Sequence, residues 1–80
     1  MLNKEIKNII EAIKELKGYL KQVWVSNNCI FAELNTEDGD IEKKLYTGNE
    51  FDFNVVYQVF NRLIYILNFN GMLKNDNILI

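Results

Sequence analysis

The amino-acid sequence predicts an α+β fold, a three-stranded antiparallel meander with two helices packed on one face, in the order αβββα. Apolar residues follow a helical period near both ends of the chain and a period of two between residues 19 and 47. Two pairs that favour tight turns, Asn27-Asn28 and Asp38-Gly39, divide the middle stretch into three strands. The length of 80 residues suits a single domain, residues 1–80.

The first element is an amphipathic helix predicted over residues 3–17. Its apolar residues recur at three- and four-residue spacing: Leu2, Ile6, Ile9, Ile10, Ile13, Leu16 and Leu20. Lysine and glutamate alternate on the opposite face. This alternation is typical of a solvent-exposed surface, whereas a helix that binds nucleic acid would carry clustered basic residues.

The three strands are predicted at residues 19–26, 29–36 and 41–47. If both turns contain two residues, Val23 faces Ala32 and Ala32 faces Leu45, so one sheet face is mostly aliphatic. That face is expected to pack on the helices.

The other sheet face is predicted to carry a row of aromatic side chains, Trp24 opposite Phe31 opposite Tyr46. Two interpretations stay open for this row. The rings either stack and stabilise the sheet, or they form a binding surface, since tryptophan and tyrosine often anchor interfaces.

The second helix is predicted over residues 52–69, followed by a tail at residues 72–80. One broad apolar face contains Phe53, Val56, Tyr57, Phe60, Leu63, Ile64 and Leu67. A second apolar line consists of Val55, Val59, Ile66 and Phe69. Because a core helix needs only one such face, the second line is expected to meet the first helix, the C-terminal tail or another copy of the chain. We predict the last of these, a contact in at least a homodimer. The tail, which closes with Ile78-Leu79-Ile80, is expected to cover the core as a short strand or to add to the oligomer contact.

Composition excludes much familiar enzyme chemistry. The chain has no histidine and one cysteine, so it cannot form an intrachain disulfide, a Cys/His zinc site or a histidine-dependent catalytic triad. The acidic turn lacks EF-hand spacing, and no glycine-rich phosphate loop is present. We therefore predict no enzyme, no metal and no cofactor. The apolar runs are too short to cross a membrane and the amino terminus is interrupted by charges, so a cytoplasmic location in a bacterial host cell is expected.

Negative charge is concentrated in residues 33–52, which carry two lysines against seven acidic residues. The predicted acidic patch is Glu37, Asp38, Asp40, Glu42, Glu50 and Asp52. These residues either keep a small apolar protein soluble or steer a lysine- and arginine-rich partner onto the surface. The second interpretation predicts a basic protein, for example a nuclease, as partner. Direct binding of nucleic acid is not expected, because Lys44 is the main cation on the aromatic face.

The order helix, three antiparallel strands, helix is also the topology of double-stranded RNA-binding domains. That family places lysines at the start of its second helix, whereas residues 48–54 here contain Glu50 and Asp52 and no lysine. In size, acidity, asparagine content and element order, the chain resembles the small phage-encoded anti-CRISPR proteins of low-GC bacteria. This resemblance implies an inhibitor that presents carboxylates to the basic, nucleic-acid-binding surface of a target protein. The alternative function is a homo-oligomeric structural or adaptor protein.

Overall fold

The computed structural model describes residues 2–48 and 53–73, and it confirms the αβββα plan. The elements are α1 (Leu2–Glu15), β1 (Gly18–Ser26), β2 (Cys29–Thr36), β3 (Gly39–Thr47) and α2 (Phe53–Phe69). The strands form one antiparallel sheet in the order β1-β2-β3. Most of the predicted tail, including Ile78-Leu79-Ile80, lies outside the described residues, so its role stays a prediction.

One hydrophobic cluster joins both helices to the same face of the sheet. The strands contribute Val23, Ile30, Ala32 and Leu34, all with no solvent exposure, and the helices contribute Ile6, Ile9, Ile13, Val56, Val59, Phe60, Leu63, Ile64 and Leu67. Since successive residues of a strand point to opposite sides, this set fixes which sheet face the helices cover.

Helix α1 ends at Glu15, two residues earlier than the apolar pattern predicts. The Leu16 amide donates to the Ile13 carbonyl at 3.1 Å, which tightens the last turn. Gly18 then begins β1. A Cβ atom on Gly18 would lie 2.7 Å from the Asn35 carbonyl oxygen, so the glycine permits the close approach of β1 to β2.

The first hairpin has the predicted turn. Asn27 and Asn28 adopt φ of 50° and 61°, the left-handed values that a type I′ turn requires and that asparagine tolerates. Val23 pairs with Ala32 as predicted. Strict alternation would then place Lys21 opposite Leu34, but a bulge shifts the register there and Leu20 takes that place.

The second hairpin turns one residue earlier than predicted. Thr36 pairs with Gly39, so the loop residues are Glu37 and Asp38 instead of Asp38 and Gly39. The Thr36 hydroxyl closes this loop by donating to the Gly39 carbonyl at 2.7 Å and accepting from the Asp38 amide at 3.2 Å. Gly39 adopts a φ of 108°, which a side chain would strain.

This turn shifts the register of β3 by two residues, so the predicted pairings across β2 are wrong for this strand. Ala32 faces Lys43 and Phe31 faces Lys44. A second bulge follows between Phe31 and Ile30, and beyond it Tyr46 faces Ile30. Because a bulge reverses the side on which later residues point, Tyr46 packs against the core and does not join the aromatic row.

Helix α2 buries a wider arc of its surface than the predicted core face. Val59 has no solvent exposure, and Val55 and Ile66 pack against the core, so these predicted oligomer contacts are covered within the chain. Phe69 is the exception, at 80% exposed. Phe53 was assigned to the core face and is instead exposed, as is Tyr57. The other five residues of the predicted core face are buried as predicted, so the buried arc keeps most of that face and extends to Val59.

Candidate protein-binding face

The sheet face opposite the helices carries three cross-strand rows of side chains, and we call it the outer face. The rows are Trp24, Phe31 and Lys44; Gln22, Glu33 and Glu42; and Tyr19, Asn35 and Asp40. The members on β1 and β2 alternate with core residues of the same strands, and those on β3 are their direct partners in register, which is why all share one side of the sheet.

The first row contains the aromatic pair that the sequence predicts. The rings of Trp24 and Phe31 are stacked, with centroids 5.9 Å apart and an angle of 19° between their planes. Both side chains are half-buried. Lys44 completes the row in the place expected for Tyr46. The result is a stacked aromatic pair beside the hydrophilic rows.

The second row contains two carboxylates on neighbouring strands. Glu33 lies directly opposite Glu42, an arrangement of like charges that destabilises a sheet. Glu33 is partly compensated, since the Gln22 amide donates to its Oε1 at 3.0 Å and Lys21 Nζ lies 3.9 Å away. Glu42 is exposed and makes no ion pair within residues 2–48 and 53–73. The outer face thus carries two carboxylates on directly opposed residues, and of these Glu33 has partners within the chain.

In the third row, Asp40 is already engaged within the chain. Lys21 Nζ donates to its Oδ2 at 2.8 Å, and Asn35 Nδ2 donates to its Oδ1 at 2.7 Å. These two hydrogen bonds, that from Lys21 first, hold the pKa of Asp40 below its ordinary value of 3.8. The same bond raises the pKa of Lys21 above 10.5. Asp40 is therefore less available to a partner than its position in the acidic patch indicates.

The hydrogen bond from Lys21 to Asp40 should be detectable in the titration of the Asp40 carboxyl group. Because the pKa of Asp40 is lowered, its contribution to stability is present above pH 3.8 and is lost as the pH falls through the folded-state value. Replacing Lys21→Met should move the pKa of Asp40 back toward 3.8, as followed by NMR of the side-chain carboxyl carbon. Lys44→Met is the matched control and should leave it in place. An unchanged pKa in Lys21→Met would contradict the bond.

The remaining members of the predicted acidic patch fall into two groups. Glu37 and Asp38 are exposed at the tip of the second hairpin. Glu50 and Asp52 lie outside the described residues, so their part in the patch stays a prediction. Glu33 is an acidic residue of the outer face that the predicted acidic patch does not include. It lies opposite Glu42 because the second hairpin turns at Glu37 and Asp38.

Two other surface features lie on the helical side. A groove of about 390 Å³ between α1 and α2 is lined by Ile6, Lys7, Ile10, Glu11, Lys14 and Ile66. Helix α2 also exposes four aromatic side chains, Phe53, Tyr57, Tyr65 and Phe69.

Within the described ranges, no three or more aspartate, glutamate or cysteine side chains are grouped to hold a metal ion. None of the helices described is long and apolar enough to cross a membrane.

Comparison with protein families, curated proteins and solved structures gives no match for this chain.

Proposed function

We propose that the protein is a non-enzymatic binding module whose outer face receives a basic segment of another protein. The observation that carries this proposal is the pair of opposed carboxylates, Glu33 and Glu42, beside the stacked rings of Trp24 and Phe31. A cation bound between the two carboxylates would remove the electrostatic repulsion between them. This loss of repulsion would add to the free energy of binding.

The chemistry of this face suits arginine and lysine side chains. A carboxylate can accept two parallel hydrogen bonds from one guanidinium group. The face of an indole or phenyl ring attracts a nearby cation, most strongly for tryptophan. Trp24 and Phe31 lie one row from Glu33 and Glu42, so one basic segment can reach both kinds of group.

The same residues disfavour nucleic acid as a direct ligand. A phosphate backbone laid across the outer face would meet Glu33, Glu42 and Asp40. Lys21 is bonded to Asp40, which leaves Lys44 as the cation beside the aromatic pair. Proteins that bind single strands need a positively charged groove around their aromatic residues.

A target with these properties is a protein whose own surface is basic because it binds nucleic acid, such as a nuclease. We infer that the module acts as an inhibitor of the kind found in phages and other mobile elements, and occupies that surface in place of the nucleic acid. The excess of acid in residues 33–52 supports this inference. So does the position of Glu37 and Asp38 at the exposed edge of the outer face.

Capture from a lysate of a low-GC bacterium tests the proposal. The immobilised protein should retain basic, nucleic-acid-binding proteins at low salt and release them at moderate salt, because exposed charges are screened. The double variant Glu33→Gln, Glu42→Gln should lose them. The matched control Glu11→Gln, Glu15→Gln removes the same charge from exposed positions of α1 and should retain them. If both variants retain the same proteins, the outer face is not the binding site.

A further inference from the structure

Helix α2 presents an exposed aromatic stripe with an internal symmetry. Phe53 is 61% exposed, Tyr57 47%, Tyr65 68% and Phe69 80%. Together with exposed Asn61 they recur every four residues, which places them along one ridge of the helix. The order Phe, Tyr, Asn, Tyr, Phe is the same when read from either end.

We propose that α2 pairs antiparallel with α2 of a second copy of this chain, about a two-fold axis at Asn61. A two-fold interface brings the same patch of both copies together, so the patch must be complementary to itself. The stripe meets that requirement, because Tyr57 then opposes Tyr65 of the second copy and Phe53 opposes Phe69.

The composition of α2 favours a second copy over other occupants. The helix contains no acidic residue, and Arg62 is its one charged residue. Interfaces between proteins are enriched in aromatic residues and arginine and depleted in lysine, aspartate and glutamate. A basic partner would find no carboxylate on this helix, and a helix that lies on a membrane would carry several lysines or arginines.

A hollow in the middle of the stripe matches helix-to-helix packing. It measures about 600 Å³ and is lined by Gln58, Asn61, Arg62 and Tyr65. Residues at this spacing form the four-sided hole that receives one side chain of a facing helix. In the proposed pairing, Asn61 of the second copy falls at this hole, where its amide meets Asn61 and Gln58. A polar residue at such a position fixes the register of paired helices. Ridges of this spacing pack with the helices crossed at about 50°.

The exposed aromatic area sets an upper limit on the interface. At about 200 Å² for each side chain, the four residues expose about 500 Å² per chain, so complete burial in the pair would remove about 1,000 Å², the lower limit for a specific interface. Gln58 and Arg62 add to it. The rings of Tyr65 and Phe69 are already stacked in the single chain, with centroids 6.4 Å apart. These two side chains therefore lose less conformational entropy when a dimer forms.

Sedimentation equilibrium of the intact protein tests the pairing. We expect twice the 9.4 kDa mass at high micromolar concentration. Phe69→Glu should raise the dimer dissociation constant at least about 30-fold, the effect of removing an interface hot spot. The matched control is Tyr19→Glu, because Tyr19 is 81% exposed on β1 and lies on the sheet face opposite the helices. Circular dichroism should show both variants folded. A monomer at all concentrations, or equal effects of the two variants, would overturn the proposal.

A charge-pairing experiment tests the register. Tyr57→Glu and Tyr65→Lys should each weaken self-association, whereas an equal mixture should form a mixed dimer, because the introduced carboxylate and ammonium groups face each other across the axis. Asn61→Cys should form a disulfide-linked dimer on mild oxidation, and Tyr19→Cys should not. If the mixture stays monomeric, the two-fold antiparallel arrangement is wrong. None of these substitutions alters the acidic pair or the stacked rings of the outer face, so failure here leaves the proposed function standing.

Discussion

Truncation of Phe60 to alanine is expected to destabilise the fold by about 3–5 kcal/mol, the usual cost of removing a buried aromatic ring and leaving a cavity. Phe60 is the largest fully buried side chain in the described part of the chain, at 1% exposed. A domain of this length has a total free energy of unfolding of about 4–12 kcal/mol. One substitution should therefore remove at least about a quarter of the free energy of unfolding.

Urea unfolding followed by circular dichroism measures this loss. Phe69→Ala is the matched control, because it removes the same side chain from the same helix at a position that is 80% exposed. In dilute protein it should change the free energy of unfolding by no more than about 0.5 kcal/mol. Near-equal effects of the two substitutions would show that α2 is packed with a different face on the sheet.

The sequence determines the fold plan and the first hairpin because their signals are local. The apolar residues of α1 recur with a helical period and form one stripe. Between β1 and β2, Asn27-Asn28 is the one pair that accepts positive φ at both positions. That turn fixes which residues of β2 face the helices. The position of Trp24 and Phe31 on the outer face follows directly, since each lies between two core residues of its strand.

The register of β3 could not be predicted from the same rules. Glu37-Asp38 and Asp38-Gly39 both suit a short turn. The observed turn has Gly39 just after its loop with a φ of 108° and is closed by the Thr36 hydroxyl, contacts that form only once the loop has closed. The second bulge leaves no mark in the alternation of apolar residues. Because Tyr46 lies beyond that bulge, its predicted place in the aromatic row was wrong.

The core face of α2 was predicted largely correctly, but its limits were not. The apolar residues occupy most of the circumference, so periodicity does not show where the buried arc begins and ends. The structure buries mainly aliphatic residues on the sheet and leaves aromatic residues such as Tyr65 outside. Val59 was predicted as an oligomer contact from apolarity alone, and only the position of the helix over the sheet shows that it belongs to the core.

Replacement of Glu42→Lys is expected to change stability and binding in opposite directions. The new ammonium group would face Glu33 across β2 and β3 and convert a like-charge pair into a salt bridge. Cross-strand pairs of this kind contribute about 0.2–1 kcal/mol, so the free energy of unfolding should rise slightly. Affinity for a basic partner recovered from the lysate should fall, chiefly through a slower and more salt-sensitive association.

Glu37→Lys is the charge-matched control, since Glu37 lies at the tip of the second hairpin and no strand residue faces it. It makes the same change in net charge and should alter the free energy of unfolding and the affinity for the partner less than Glu42→Lys does. The opposite signs are the decisive feature, because a purely structural role for Glu42 would make stability and binding fall together. Retained affinity in Glu42→Lys would refute the acidic pair as the binding site, and the stacked rings of Trp24 and Phe31 would then be tested by Trp24→Ala. If Glu42→Lys lowers the free energy of unfolding, Glu33 does not face it as the register of β3 places it.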